Sequence, residues 1–424
     1  MHRTQRAMRK AEQLGGKDAL NCIAEINEAA LDEANYQGRK PSAASGEPGE
    51  LLLRGVPILV KDNIDVKGMH TTAGSLALAD NLALEDAHVI RNLRRHGAVI
   101  LGKTNMTEFA NYVSSNMPGG YSSRGGQVIH AICESAEPGG SSTGSGVAVS
   151  AGIVSMAVGT DTSFSIIACA QFNGICAIKP PVGVLSQEGI IPVAKTLDSP
   201  GPMADTFLDA FRMYRAMRDE VFPDIRPASV SRLRIAVNDA NGEKLDDGQK
   251  AFYERLVGQL REAGATVEKI HQEKEPMLKT IMKWEFKPML EMYLRTSTAS
   301  RKTLSEIVDF YEANPDTMMK YGHDYLRAAL DETPGGLMGE EYLEALRYRK
   351  KRIEEVRNAI EEYDAVLMTG PTNVMHFCGL PSVTVAGAEK DEQGIRRAVI
   401  LYGADEKKLY AAACGLERMM LQSE

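Results

Sequence analysis

Short apolar runs alternate with amphipathic stretches along most of the chain. An apolar run that ends in charge, glycine or proline is typical of a strand buried on both faces, whereas an apolar repeat with helical spacing is typical of a helix packed on a core. Strands that alternate with helices predict an α/β fold with a central, mixed, twisted sheet that helices cover on both faces. The runs that we interpret as strands are GVPILV, AVILG, VSMAVG, CAIKPPVG, RIAVND, ATVEKI, AVLMTGPT, PSVTVAG and RAVILYG.

Helical patterns occupy several of the segments between these runs. Residues 17–37 and 86–96 have the spacing of helices, and the first half of residues 17–37 also fits a short strand. Residues 106–113, MTEFANYV, predict the start of another helix. The small residues of GVAVSAG predict a helix that packs closely against its neighbours.

The segment from about residue 220 to residue 360 differs from the rest. Its part from about 273 to 363 is charged, has helical periodicity and holds the only tryptophan, Trp284. Near its end four apolar residues share one helical face: Leu346, Ile353, Val356 and Ile360. Because no linker precedes or follows this part, we interpret residues 1–424 as one domain, in which residues 220–360 form a divergent, mostly helical insertion that covers the sheet.

Charge and composition exclude several classes of protein. The formal net charge is −8 at pH 7, which gives no basic surface for nucleic acid or an anionic membrane. No apolar run approaches the length of about 20 residues that a membrane span needs, and the first residues lack the apolar core of a signal peptide. We therefore expect a cytoplasmic protein. The six cysteines form no C-x-x-C pair and the eight histidines no i, i+4 pair, so we expect no metal.

One stretch, PGGSSTGSG at residues 138–146, is small, polar and uncharged. A flexible linker does not fit, because the stretch continues directly into the apolar run VAVSAGIVSMAVG. A phosphate-binding loop does not fit either, since Ser145 stands where the lysine of that motif should be. The remaining interpretation is a scaffold that brings backbone and a serine hydroxyl close to a reacting group.

A serine nucleophile needs a base and backbone N–H groups for the oxyanion. With no local histidine motif, the base can be a lysine whose burial leaves it neutral. Lys61 follows the apolar strand GVPILV and is placed for such burial. Ser165 follows the strand VSMAVG, where backbone N–H groups can converge, and a serine of the glycine-rich loop could relay the proton between the two.

Four stretches together resemble the amidase signature family of serine amidohydrolases: GVPILVKDNIDVKGMHTTAGS, GKTNMTEFANYVSSN, PGGSSTGSGVAVSAGIVSMAVGTDTSFSI and GICAIKPPVG. The resemblance covers roughly residues 17–206 and resumes near the C-terminus in AVLMTGPT, GLPSVTVAG and LYAAACGLERM. It leaves the segment of about 220–360 unmatched. It implies the amidase-signature fold and a Ser–cis-Ser–Lys triad.

The resemblance implies a role for each matching residue. Lys61 is the base, Ser141 the bridging serine and Ser165 the nucleophile, with Ser142 as the alternative bridge. The oxyanion hole would use the backbone N–H groups of Thr162, Ser163, Phe164 and Ser165. Residues that could contact the substrate are Met106, Phe109, Gly140, Ser142 and Asp161. Met106 and Phe109 fit a core role equally well, and Asp161 also fits a role in holding the loop. No cofactor is needed.

The implied function is hydrolysis of an amide C–N bond in a small carboxamide, a peptide amide or an aryl amide, through an acyl-enzyme on Ser165. Its partner is the small-molecule substrate, and a homodimer is the assembly that we consider. Ser163 and Phe164 stand where the family has small residues, and Ile167 stands for an arginine. A non-glycine residue with positive φ costs about 1–2 kcal/mol. These departures keep a weak or inactive ligand- or partner-binding relative as an alternative. A glutamine-hydrolysing subunit of a tRNA-dependent amidotransferase is another.

Overall fold

The structure is a computed structural model that describes residues 1–39, 50–334 and 336–422. Its strands are β1 Ile23–Ile26, β2 Pro57–Lys61, β3 Val99–Thr104, β4 Tyr121–Ser122, β5 Gly126–Gln127, β6 Met156–Asp161, β7 Cys176–Lys179, β8 Ser199–Ala204, β9 Arg234–Asn238, β10 Thr266–Ile270, β11 Ala365–Met368, β12 Ser382–Lys390 and β13 Arg396–Tyr402. Its helices are α1 His2–Leu14, α2 Ala30–Arg39, α3 His88–Arg95, α4 Thr143–Ser150, α5 Ile167–Phe172, α6 Phe207–Met217, α7 Asp247–Glu262, α8 Leu278–Thr296, α9 Leu304–Ala313, α10 Pro315–Met318, α11 Asp324–Asp331, α12 Glu340–Ile360, α13 Val374–Phe377 and α14 Glu406–Gln422.

Eleven of the strands form one mixed sheet in the order β1-β3-β2-β6-β8-β7-β12-β13-β11-β9-β10. The strands β3, β2 and β6 run parallel to one another, and β8, β7, β12 and β13 pair antiparallel with their neighbours. The predicted α/β fold with a mixed sheet is confirmed. The parallel group matters most for function, since β2 and β6 deliver residues to the same edge of the sheet.

Helices cover both faces of the sheet, as the apolar runs predict. In β2, Ile58 and Val60 pack into the core on one face and Leu59 into the core on the other. The first core receives apolar side chains of α3, α6, α7 and α14. The second receives those of α1, α2, α4, α5, α8 and α12. Every residue of β2 is buried, so Lys61 at its end lies in the interior.

Helix α4 packs unusually close to the sheet because its first turn consists of small residues. A Cβ atom on Gly144 would lie 2.4 Å from the carbonyl oxygens of both Asn105 and Cys22. Real Cβ atoms do not approach backbone this closely, so a side chain here must displace the helix. The glycine spacing of the loop at 138–146 is therefore needed for packing as well as for conformational freedom.

We expect Gly144→Ala to destabilise the fold by about 1–3 kcal/mol, because the added methyl overpacks a rigid backbone contact. Chemical denaturation of the two proteins measures the difference. Gly258→Ala in α7 is the matched control, since no atom lies within 4 Å of its added Cβ. That change should raise stability by about 0.5–1 kcal/mol through helix propensity. A Gly144→Ala protein as stable as the control would contradict the close packing of α4.

Two helix predictions differ from the structure. Residues 17–37 contain β1 and most of α2, so the short strand that also fits their first half is confirmed and a single helix is wrong. The helix predicted at residues 106–113 is wrong: only a short 3₁₀ turn, Glu108–Asn111, forms there. Phe109 has φ 44° and Ala110 φ 54°, and the Phe109 N–H donates to the Ala73 carbonyl at 2.8 Å. Tertiary hydrogen bonds thus replace the helical ones.

The segment 220–360 begins as part of the sheet. Strands β9 and β10 run parallel at the sheet edge and are joined by α7, and the helical cover starts only at α8. Helices α8, α9, α10 and α11 pack their own apolar cluster onto the loop that holds Phe109 and Tyr112. In the described part of the chain, no helix is long and apolar enough to cross a membrane.

Candidate active site

A continuous chain of hydrogen bonds joins the three residues that the sequence singled out. Lys61 Nζ lies 2.8 Å from Ser141 Oγ, and Ser141 Oγ lies 2.9 Å from Ser165 Oγ. Lys61 and Ser141 are fully buried and Ser165 is 6% exposed. The Gly140–Ser141 peptide bond is cis. A proton can therefore pass from Ser165 to Lys61 through one hydroxyl, without water.

The lysine amine is held in an environment that disfavours its charge. Burial lowers the pKa of Lys61 from 10.5 to about 7, against the opposite effect of the nearby Cys169, Asp161 and Asp198. Its Nζ also lies 3.1 Å from the carbonyl oxygen and 2.9 Å from the hydroxyl of Thr160. A neutral amine can donate to these two atoms and offer its lone pair to Ser141. Lys61 is thus equipped to act as a base near pH 7.

We expect kcat/KM for amide hydrolysis to rise with pH and level off above about 7, falling about tenfold per unit below it. The sign follows because only the neutral amine can accept a proton. Burial also raises the pKa of Asp198 to about 7. The pH profile of Asp198→Asn is therefore the control, and it should keep the same low-pH limb. Loss of the limb in Asp198→Asn would assign it to the carboxyl instead.

Ser142, the alternative bridge, has a different position. Its hydroxyl donates to the Thr160 carbonyl at 3.0 Å and accepts from the Thr160 N–H at 3.2 Å. Its own N–H donates to the Ser165 carbonyl at 3.2 Å. Ser142 thus fastens the glycine-rich loop to β6 and to the nucleophile, while Ser141 occupies the bridging place. The side chain of Ser142 is fully buried and has no face toward a substrate.

Asp161 holds the backbone after the nucleophile. Its Oδ2 accepts from the N–H of Ile166 at 2.6 Å and of Ile167 at 3.4 Å. Burial acts to raise the pKa of Asp161, but His376 and Lys179 together with these N–H groups hold it below the usual value. The carboxylate is 1% exposed. Of the two roles left open for Asp161, the geometry supports the structural one and not the substrate contact.

Three of the four N–H groups that the resemblance implies for an oxyanion hole are free in the part of the chain that the structure describes. Within the described residues, the N–H groups of Thr162, Ser163 and Ser165 donate to no acceptor and are available. The Phe164 N–H instead donates to His376 Nε2 at 3.2 Å. Its assignment to the oxyanion hole is therefore a correction: in this structure a side chain already satisfies it.

Sequence reasoning missed His376. It is fully buried on α13, and its Nδ1 lies 3.1 Å from Asp161 Oδ1. Its ring packs edge-on against the Phe164 ring, with centroids 4.4 Å apart. A single histidine in the apolar sequence VMHFC, far along the chain from the nucleophile, gives no local signal of this contact.

The other proposed substrate contacts lie at different depths. Met106 is fully buried and Phe109 is 2% exposed; both belong to the apolar cluster under α8 and α9. The Phe109 ring meets Phe286 edge-on at 6.0 Å. Both residues thus serve as core beside the site. Gly140 is half-buried, and a Cβ there would lie 2.5 Å from Thr107 Oγ1. No group of metal-ligating side chains occurs among the residues that the structure describes.

A buried lysine at the end of a sheet strand, hydrogen-bonded to a serine pair in the adjoining loops, is the kind of site that a serine hydrolase needs. The chain belongs to the amidase family, because the family profile described as Amidase matches residues 4–377. This match includes residues 220–360, which the sequence motifs had left unmatched. The chain is a hydrolase that acts on amide C–N bonds.

The chain is similar to relatives of several kinds. A probable amidase of Arabidopsis thaliana is 30% identical over 437 residues, which cover 95% of this chain and 83% of the relative. The crystal structure of the peptide amidase from Stenotrophomonas maltophilia superposes with a TM-score of 0.87 at 29% identity, over 99% of this chain and 93% of that one. One subunit of the glutamyl-tRNA(Gln) amidotransferase of Alkaliphilus metalliredigens is 28% identical, over 96% of this chain and 91% of that relative.

Proposed function

We propose that the chain cleaves small carboxamides, with the carboxamide ends of peptides as the first class to test, through an acyl-enzyme on Ser165. The observation that carries the proposal is the hydrogen-bonded path from Ser165 through Ser141 to Lys61. The path supplies a nucleophile, a relay and a base that burial keeps neutral. The likeness to the peptide amidase of Stenotrophomonas maltophilia supports this choice of substrate class.

The reaction begins with two proton transfers. Neutral Lys61 accepts the proton of Ser141 while Ser141 accepts that of Ser165, and the Ser165 oxygen attacks the amide carbonyl carbon. The N–H groups of Thr162, Ser163 and Ser165 stabilise the oxyanion that forms. Ser141 then gives a proton to the leaving nitrogen and takes one back from Lys61 as the C–N bond breaks, so that Lys61 is neutral again. Water deacylates the enzyme by the same relay, which regenerates Ser165 and neutral Lys61.

A second candidate function is hydrolysis of glutamine within an amidotransferase assembly. The relative from Alkaliphilus metalliredigens, an amidotransferase subunit by name, supports it because the alignment extends over nearly the whole of both chains. The name of that relative describes a subunit, so we expect glutamine hydrolysis of this kind to need partner chains, whereas carboxamide hydrolysis through the Ser165 path needs only this chain. The activity of the isolated chain therefore separates the two candidates.

The cytoplasm is the compartment that we propose. All six cysteines are free, and five of them are buried. Free thiols in this number suit a reducing compartment better than an oxidising one.

The test combines covalent labelling with a substrate panel. The purified chain is treated with a fluorophosphonate and the adduct is located by mass spectrometry, with Lys61→Ala alongside. Ammonia release is then measured from peptide amides, aryl and alkyl carboxamides, and free glutamine. We expect an adduct on Ser165 that Lys61→Ala abolishes, and turnover of a carboxamide. A Ser165 adduct without turnover of any amide, or with turnover of free glutamine only, would favour the amidotransferase role. A folded chain without an adduct would favour the inactive, ligand-binding relative.

A further inference from the structure

His376 connects two parts of the active site that are distant in sequence. On one side its Nδ1 faces Asp161 Oδ1 at 3.1 Å, and on the other its Nε2 accepts the Phe164 N–H at 3.2 Å. The imidazole is fully buried and touches the Phe164 ring. Asp161 in turn accepts the N–H groups that follow Ser165. The histidine thus supports the nucleophile loop on both sides of Ser165.

This support is needed because the loop has an unfavourable backbone conformation. Phe164 has φ 70°, in the left-handed region, which costs a non-glycine residue about 1–2 kcal/mol. Its N–H bond and ring contact with His376 offset that cost. They keep Phe164 in a conformation that leaves the neighbouring N–H groups of Ser163 and Ser165 free of other acceptors among the described residues.

We propose that His376 is a positioning residue that holds the oxyanion loop through Phe164. The role rests on the proposed function of Ser165, since it matters only if Ser165 attacks an acyl group. His376 touches no reacting atom itself. It acts by fixing the residue next to the nucleophile, so its loss should lower reactivity at Ser165 while the Lys61–Ser141 path remains in place.

The hydrogen bond from the Phe164 N–H to His376 forms only while the imidazole is neutral. A neutral imidazole can place its single N–H on Nδ1, toward Asp161, and leave the Nε2 lone pair to accept the Phe164 N–H. A protonated imidazole carries hydrogen on Nε2 as well, which opposes the Phe164 N–H and breaks that bond. The charged groups facing the imidazole are Asp161 from β6, which favours the proton, and Lys179 from β7, which disfavours it. Burial has the larger effect and lowers the pKa of His376.

Two variants of equal length test the role. Gln at position 376 can accept the Phe164 N–H and donate to Asp161, whereas Met fills similar space and does neither. The readout is the second-order rate constant for fluorophosphonate labelling of Ser165, because the phosphonyl oxygen uses the same N–H groups. We expect His376→Gln to label within about threefold of the native rate and His376→Met to label about 10- to 100-fold more slowly. Melting temperatures establish that both variants are folded.

The pH dependence of labelling gives a readout that a purely structural residue would not change. In the native chain, the logarithm of the rate constant should fall with a slope of one below the pKa of Lys61 and steepen toward two once His376 is protonated. His376→Gln should keep the slope of one. If His376→Met does not fold, the comparison is repeated between Asp161→Asn and Asp161→Asn/His376→Met, because the amide removes the charge from the Asp161 oxygen that has lost its partner.

The outcomes separate this inference from the proposed function. Equal labelling rates for the Gln and Met variants, or a slope that steepens in His376→Gln as it does in the native protein, would overturn the role of His376 alone. Absence of any Ser165 adduct in the native chain would overturn the proposed function, and the role of His376 with it. Slow labelling of His376→Met, together with fast labelling and a slope of one in His376→Gln, would support the role of His376 and the proposed function.

Discussion

Replacing Ser165 with alanine is expected to lower kcat for amide hydrolysis by about 10⁴- to 10⁶-fold, the range seen when a nucleophilic serine is removed from a hydrolase. The physical reason is that no acyl-enzyme can form. Ser141 cannot substitute, because its hydroxyl lies between Lys61 and Ser165 and is fully buried. Ammonia release from a peptide amide measures the loss, and fluorophosphonate labelling should disappear with it.

The control for this variant is Ser150→Ala, at the end of α4, where the hydroxyl takes no part in the proton path. It should keep the native kcat. Thermal unfolding of Ser165→Ala should stay close to that of the native chain, since its hydroxyl contacts only Ser141 within the described residues. A Ser165→Ala protein that retains more than a tenth of the native kcat would mean that another group attacks the amide.

Replacing Lys61 with methionine is expected to lower kcat by about 10³- to 10⁴-fold, at the upper end of what a general base contributes. Methionine fills the apolar end of β2 but accepts no proton, so both serines lose the driving force for ionisation. The variant should also lose the low-pH limb near pH 7, because the group that titrates there is gone. Activity measured from pH 5 to pH 9 tests both effects together.

Lys103→Met is the matched control for Lys61→Met. Lys103 is also fully buried with a lowered pKa, but it pairs with Val60 across the β2–β3 register and donates to the His70 carbonyl at 2.8 Å. Its loss leaves Asp62, 3.6 Å away, without that cation and should reduce stability. The folded Lys103→Met protein should keep the low-pH limb and a kcat within about threefold of native. A persistent limb in Lys61→Met would instead point to a different base.

Local sequence was enough to predict the sheet and the strand that ends at Lys61. A short apolar run predicts a buried strand, and β2 has this form. A lysine at the end of such a strand can also extend its amine to solvent, and the structure shows that the Lys61 amine is buried. The places of Ser141 and Ser165 depended on the family resemblance, since a serine in a glycine-rich loop has many other uses. The structure brings these three side chains together as expected.

The rest of the site depends on contacts between distant segments, which no local pattern encodes. The failed helix at residues 106–113 has good helical residues, yet Phe109 bonds to Ala73 and takes a positive φ instead. His376 stands in an apolar helix and reaches Phe164 only because β12 brings the C-terminal region beside β7. The sequence also did not indicate that the Phe164 N–H donates to His376 and is therefore not available to an oxyanion.

The buried lysines make folding itself an acid-releasing process. In the unfolded chain each amine carries a proton up to about pH 10.5, whereas in the folded chain the pKa of Lys61 falls to about 7 and that of Lys179 to about 8. Between these values the unfolded chain binds more protons than the folded chain. Lys61 and Lys179 therefore increase the free energy of unfolding as pH rises from about 7 toward 10.5. Folding therefore releases the proton of the Lys61 amine that would prevent proton transfer from Ser141. The neutral, reactive amine forms only when the chain folds.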